Sequence, residues 1–171
     1  SAQSSDSPDH ILATLAEPLE YQSETLEEEL SFLKLAMRAK KLGTDSSAIT
    51  KAIQYHSATY GAIPFGYKTG VFWNDQYFLK KLRVLQQSKS NPTAIYKGKI
   101  QQLAQRKKER DLAMKQKKLP PRVQKLIILL RQLSYLQDLK KTAQTQSHPH
   151  LERIVKPELT RRLGVQNNDL D

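Results

Sequence analysis

The feature that most constrains the fold is a helix signal between residues 23 and 43, where capping residues, charges and apolar spacing agree. Ser23 and Thr25 are suitable N-caps, and Thr25 with Glu28 fits a capping box. The glutamates of the first turn complement the positive end of the helix dipole, and Gly43 is suited to end the helix. The apolar residues recur at spacings of three and four, as on one helical face: Leu26, Leu30, Leu33 and Met37.

Similar patterns along the chain predict an all-α single domain of five to six helices. Only 6 glycines and 8 prolines interrupt its 171 residues, whereas good helix formers are abundant. The turn at Gly43 is either an ordinary connection between two packed helices, which we favour, or the turn of a DNA-binding helix-turn-helix. In the second case the DNA bases would be contacted by Lys51, Gln54 and His56, which are a poor set for this purpose. Besides the helix described above, helices are predicted over about 46–59, 75–87, 93–118 and 122–145, with short candidate helices at about 10–16 and 157–163.

Changes in composition divide the chain into four segments. Residues 1–22 form an acidic, partly disordered start, and residues 23–88 a helical core with an aromatic loop. Residues 89–146 hold a long, protruding basic helix and a central apolar helix that we expect to be covered on two sides, and residues 147–171 form a tail. The predicted core positions are Leu30, Leu33, Ile49, Ile53, Leu79, Leu82 and the leucine-rich face of residues 126–136.

Residues 60–74 interrupt the helical texture with glycines and aromatic side chains, and they predict a short loop or hairpin. Aromatic residues in such a loop usually anchor it to the core, which is the interpretation we favour. Alternatively, exposed Tyr67 and Trp73 beside Lys80 and Lys81 would stack on the unpaired bases of a nucleic acid.

The charges are sorted along the chain. All 28 lysines and arginines lie at or after Lys34, and eight carboxylates precede that residue. The remainder of the chain is therefore more basic than the net charge of +11 suggests, and such a surface attracts polyanions at long range. We interpret the acidic start as a helix N-terminus with a solubilising tail, in preference to a segment that competes with polyanions for the basic face.

The positive charge is concentrated between Lys97 and Lys125, a stretch with few apolar residues. Helical spacing places Lys99, Arg106 and Arg110 on one side, together with Lys117. Phosphate contacts there would release condensed counterions without reading sequence, although a solvated helix with no partner is the alternative. The predicted backbone contacts, including three on the preceding helix, are Lys97, Lys99, Arg106, Lys107, Lys108, Arg110, Lys115, Lys117, Lys118, Arg122, Lys80, Lys81 and Arg83.

Several classes of chemistry have no support in the sequence. The chain has no cysteine, so disulfides and thiolate metal sites are excluded. Its longest apolar run, Leu126 to Leu130, is far shorter than the ~20 residues of a membrane span, and we expect a soluble intracellular protein. His148 and His150 lack further ligands nearby, and no catalytic grouping occurs at motif spacing. We therefore predict no metal, no cofactor and no catalytic residue.

These observations favour a non-enzymatic nucleic-acid-binding protein that contacts the phosphate backbone through its basic helix. RNA is slightly preferred over DNA because of the aromatic segment. The alternative is a helical assembly or adaptor subunit of a larger complex. In that case the apolar helix Val123–Leu139 would bind a protein partner or a second copy, and the basic arm would add further protein contacts.

Overall fold

The regular structure is helical throughout the ranges that the computed structural model describes, which are residues 8–64, 72–88 and 90–163. This confirms the all-α class. In chain order the helices are α1 (Pro8–Ala16), α2 (Glu24–Leu42), α3 (Ser47–Tyr60), α4 (Asp75–Gln87), α5 (Pro92–Gln116) and α6 (Pro121–Leu163).

Local capping explains where the first helices begin and end. The Oγ atom of Ser23 accepts a hydrogen bond from the backbone N–H of Leu26 at 3.3 Å, so Ser23 is the N-cap of α2. Thr25 consequently lies inside the first turn, and the capping box expected there is not formed. Gly43 ends α2 as predicted, with a φ of 82° that suits glycine. Ser46, Asn74 and Asn91 cap α3, α4 and α5 in the same way as Ser23.

The hydrophobic core lies between α2, α3 and α4, and α2 is its central helix. The predicted core positions Leu30, Leu33, Ile49, Ile53 and Leu82 are buried, and Leu79 packs against the cluster while partly exposed. Because α2 is covered on several sides, it has more buried residues than the single apolar face predicted from the sequence. The buried residues of the cluster are Phe32, Leu35, Ala36, Ala39, Ile49, Ile53, Phe78 and Leu82.

Helix α5 does not protrude, contrary to the prediction. It packs along α2 and also contacts α1. Its first residue, Pro92, is buried, and Lys34 of α2 lies 5.7 Å from the centre of the Tyr96 ring. One side of the basic helix is therefore part of the body of the molecule.

Helix α6 is one element of 43 residues, about 65 Å long at 1.5 Å per residue. The predicted end near residue 145, with a separate helix from about 157, is wrong, because α6 continues through Pro149 and Pro157. Arg131 and Tyr135 hold α6 to the start of the chain. The Nε of Arg131 donates to the carbonyl of Leu15 at 2.8 Å, and the Tyr135 ring stacks on Tyr21 with centroids 4.0 Å apart.

The predicted aromatic loop at 60–74 is described only at its two ends, and Tyr67 lies outside the described residues. The backbone N–H of Trp73 donates to the carbonyl of Gly61 at 2.9 Å, so these ends are joined. None of the helices in the described part of the chain combines the length and apolar character needed to cross a bilayer.

Candidate interaction surfaces

The basic residues of α5 lie on two sides of the helix, and only one of these sides faces outward. The inner side holds Lys99, Arg106 and Arg110, three of the four cations that helical spacing had grouped together. Each of these three pairs with a glutamate from the acidic start of the chain. The sorted charges of the sequence therefore meet within the molecule.

The individual ion pairs join residues far apart in the chain. Lys99 Nζ lies 2.6 Å from Glu29 Oε2, and the guanidinium of Arg106 is bound by Glu17. Both pairs are partly open to solvent, where an ion pair contributes about 0–1 kcal/mol. They nevertheless neutralise the charge of two side chains that were predicted to contact phosphate.

Arg110 is a correction to the predicted phosphate-binding surface, because its side chain is only 1% exposed. Its Nη1 donates to Glu20 Oε2 at 2.9 Å and to the carbonyl of Glu17 at 3.1 Å. Asp111 accepts from the same guanidinium at 2.8 Å. A guanidinium that is enclosed and paired in this way has no free donor edge for a phosphate.

Glu20 connects α5 with α6. It receives hydrogen bonds from Arg110, and its Oε1 lies 3.7 Å from Arg131 Nη1. The hydrogen bond from Arg110 is the main reason that the pKa of Glu20 lies below its usual range, and burial opposes it only in part. Arg131 is itself buried, so the carboxylate of Glu20 lies between two enclosed guanidinium groups, of which Arg110 is also paired with Asp111.

Sequence reasoning missed the acidic partners of the basic helix, namely Glu17, Glu20 and Glu29, and it also missed Arg131. Helical spacing had grouped the cations correctly but gave no indication of which side faces inward. The sequence did contain a signal for these pairs, because an acidic segment and a basic helix occur in the same chain. This signal supports the interpretation that we ranked second, in which the acidic segment competes with polyanions for the basic face.

The outer side of α5 and the turn after it remain open. Lys107, Lys108 and Lys115 line a shallow depression with Ala104 and Leu112. The nearby carboxylate of Asp111 is already bonded to Arg110. Among the residues that the structure describes, the predicted contacts with an exposed side chain and no carboxylate partner are Lys80, Lys97, Lys107, Lys108, Lys115, Lys117, Lys118 and Arg122.

The supporting cations of α4 are less available than predicted. Lys81 is half-buried: its Nζ donates to Glu28 at 3.0 Å and lies 4.4 Å from the centre of the Phe32 ring. Arg83 is exposed, with Asp45 at 3.8 Å. Lys80 is the member of this group that stays exposed without such a partner in the described ranges.

Trp73 anchors the aromatic loop to the core, as the favoured interpretation predicted. Its ring stacks on Tyr77 with centroids 5.0 Å apart, and its indole meets Phe78 edge to face. One face of the ring is therefore occupied, which removes most of the basis for predicting base stacking at this residue.

A buried polar network links α2, α3 and α4. His56 Nε2 lies 3.2 Å from Glu28 Oε1, and His56 Nδ1 lies 3.2 Å from the Ser31 hydroxyl. Burial raises the pKa of Glu28, but the hydrogen bonds from His56 and Lys81 outweigh it and hold that pKa below its usual range. Because His56 is 2% exposed, it cannot read a DNA groove in a helix-turn-helix.

The order Ser31–His56–Glu28 matches that of a hydrolytic triad, which sequence spacing had not revealed. Ser31, however, lies in the middle of α2, where the backbone N–H groups are bonded within the helix. No main-chain donor is therefore free beside it to stabilise an oxyanion. The network is better explained as a set of buried polar contacts that hold three packed helices together.

The outward face of α6 is the largest departure from the predicted core. Ile127 is 2% exposed, but the leucine-rich side of the same helix faces solvent, so α6 is not a central helix. The residues that turn toward the body are largely polar, including Arg131, Asp138 and Thr145. We define the leucine face as Leu126, Leu129, Leu130, Leu133 and Leu136, whose side chains are between 41% and 56% exposed.

No family model matches this chain, and neither does any curated protein or solved structure. No group of three or more potential metal ligands occurs in the part of the chain that the structure describes, and the side chains of His148 and His150 lie outside it. The surfaces themselves are therefore the basis for assigning a function.

Proposed function

We propose that this chain is a non-enzymatic adaptor subunit that binds another protein through the leucine face of α6. The observation that carries this proposal is the solvent exposure of five leucines on one side of a helix whose body-facing side is largely polar. A contiguous exposed apolar patch is typical of a protein interface, because monomers rarely leave such a patch uncovered.

The orientation of α6 supports an external partner. Turning the helix by half a turn would bury the leucines against the body of the chain. It would also separate Arg131 from Leu15 and Glu20, and Tyr135 from Tyr21. Because these charge-assisted and stacking contacts would be lost, they favour the observed orientation and leave the leucines for another molecule.

The leucine face is tested by a pair of variants measured for stability. We expect Leu129→Gln with Leu133→Gln to change the free energy of unfolding by less than about 0.5 kcal/mol, because both residues are already exposed. Ile127→Ala should cost about 2–4 kcal/mol, because Ile127 is buried on the same helix. Urea denaturation followed by circular dichroism gives both values. A loss from the double variant as large as that from Ile127→Ala would mean that the chain covers its own leucines.

A second candidate function is polyanion binding by the outer lysines of α5. The supporting observation is that Lys107, Lys108 and Lys115 are exposed together and lack carboxylate partners among the described residues. Since Arg110 is buried and Trp73 is stacked, this candidate involves the phosphate backbone of RNA or DNA and no base recognition.

This second candidate is tested with a triple change of Lys107, Lys108 and Lys115 to Glu. We expect binding to a fluorescent homopolymeric RNA at low salt to be lost, and the affinity of the unchanged chain to fall steeply as salt rises. The matched control changes the same net charge at the exposed Lys40, Lys41 and Lys51. If the two triple variants weaken binding equally, the interaction depends on net charge alone, and a binding site on α5 is excluded.

A further inference from the structure

We infer that the leucine face of α6 binds an acidic amphipathic helix of a different protein, in preference to a second copy of this chain. The inference rests on the proposed function and adds the chemical class of the partner. It is carried by the spacing of the leucines and by the cations at the two ends of the face.

The leucine spacing fits a helical partner. Leu126, Leu129, Leu133 and Leu136 follow one another at intervals of three, four and three, which is the seam of a coiled coil. The seam extends about 15 Å along α6, or roughly three helical turns. Another helix with the same spacing can pack its own apolar residues along this line.

The two ends of the seam carry positive charge. Arg122 lies four residues before Leu126, Lys140 lies four residues after Leu136, and Lys125 lies beside the first of these ends. All three cations are exposed on the outward side of α6. The one carboxylate between residues 121 and 147 is Asp138, which lies on the inward side, 3.9 Å from Lys141. A partner helix with glutamates or aspartates at the two ends of its apolar stripe would therefore meet complementary charge at both ends of the seam.

The same charges disfavour pairing with a second copy. The seam is symmetric about residue 131, so an antiparallel pair would align leucine with leucine but would place Arg122 opposite Lys140. A parallel pair would place each cation opposite its own equivalent. In both arrangements like charges meet at the ends of the seam, which is unfavourable.

The inference is tested with two synthetic helices offered to the full chain. Both have leucines at the spacing of the seam, and they differ only in the residues at and beside the two ends of this stripe, which are glutamates in one and lysines in the other. Fluorescence anisotropy should show that the glutamate peptide binds at least about tenfold more tightly than the lysine peptide at low salt. This preference should diminish as salt rises.

Variants of the chain locate the binding. Leu129→Gln with Leu133→Gln should abolish binding of the glutamate peptide, because the apolar seam is interrupted. Lys125→Glu with Lys140→Glu should reverse the preference between the two peptides. The matched control, Lys40→Glu with Lys41→Glu, changes two exposed lysines of α2 by the same charge and should leave the preference unchanged.

The remaining outcomes overturn the inference in distinguishable ways. Equal binding of both peptides at the seam would exclude a role for charge but leave the proposed adaptor function standing. Binding that survives the leucine variant but is lost with the α5 triple variant would assign the acidic helix to the basic face. A concentration-dependent dimer that the leucine variant abolishes would identify a second copy as the occupant. Failure of both peptides to bind a chain that stays monomeric would contradict the adaptor function itself.

Discussion

At position 61 the requirement for glycine comes from the neighbouring atoms and not from the backbone angles. Its φ of −61° is open to any residue, so conformational freedom is not the reason for glycine here. A Cβ atom at this position would lie 2.5 Å from the carbonyl oxygens of both Ser57 and Trp73. Glycine is needed because the end of α3 and the returning chain approach each other closely.

The matched pair Gly61→Ala and Gly98→Ala tests this requirement. We expect Gly61→Ala to cost about 1–3 kcal/mol, because main-chain atoms on two sides must move. Gly98 lies in α5 with no atom near its missing side chain, so Gly98→Ala should stabilise the fold by about 0.5–1 kcal/mol. Denaturation in urea measures both, and the fluorescence of the single tryptophan, Trp73, reports on the strained region directly. A stabilising Gly61→Ala would contradict the close approach.

At the scale of the elements, the position of α6 depends on polar contacts more than on apolar burial. Among the side chains of α6 that the structure describes, Ile127 is the large apolar one that is fully enclosed. Arg131, Tyr135 and Gln146, by contrast, contact the segment before α2 and the first residue of α2. Glu20 is central to this arrangement, because it lies between Arg110 of α5 and Arg131 of α6.

Glu20→Gln is therefore expected to weaken the attachment of α5 and α6 to the rest of the chain. We expect a loss of about 2 kcal/mol in the free energy of unfolding, since Arg131 loses the carboxylate beside it and Arg110 keeps Asp111 alone, while solvent still reaches the site. Glu29→Gln is the control, because its pair with Lys99 is exposed on both sides and should contribute less than about 1 kcal/mol. Equal losses would show that Glu20 acts as an ordinary surface carboxylate.

The sequence predicted those parts of the fold that depend on neighbouring residues. Ser23, Gly43 and Ser46 mark helix ends by local hydrogen bonds, and the core stripe of α2 follows from regular spacing. The orientation of α6 was not predictable in this way. A helix with leucines on one side predicts burial of that side, unless residues such as Arg131 and Tyr135 have specific partners elsewhere in the chain. The inner side of α5 was missed for the same reason.

At the scale of the whole molecule, the stability should fall in acid more steeply than for a chain with unpaired carboxylates. Glu20 and Glu28 both have a folded-state pKa below the usual range, the first chiefly through Arg110 and the second through His56 and Lys81 against the effect of burial. A lowered pKa stabilises the fold above the unfolded value of about 4.3. This contribution is lost as pH falls through the folded-state value.

We therefore expect the urea midpoint to decrease as the pH falls from about 5 to about 3. Glu28→Gln should be less stable at neutral pH and should lose part of this pH dependence, because the amide does not titrate. The measurement is a series of urea denaturations at fixed ionic strength. An unchanged pH dependence in Glu28→Gln would show that the buried carboxylate does not contribute to acid unfolding.

The ion pairs between the acidic start and the basic helix also affect the order in which the chain folds. Glu29 and Lys99 are 70 residues apart, Glu20 and Arg110 are 90 apart, and Leu15 and Arg131 are 116 apart. The helices α2, α3 and α4 can pack as soon as they are synthesised, since their contacts are closer in sequence. The segment that holds Leu15 and Glu20 is synthesised well before residues 99–131 and must wait for them before it has partners, and contacts with such large separations form slowly. This segment is thus expected to dock after α2, α3 and α4 have packed.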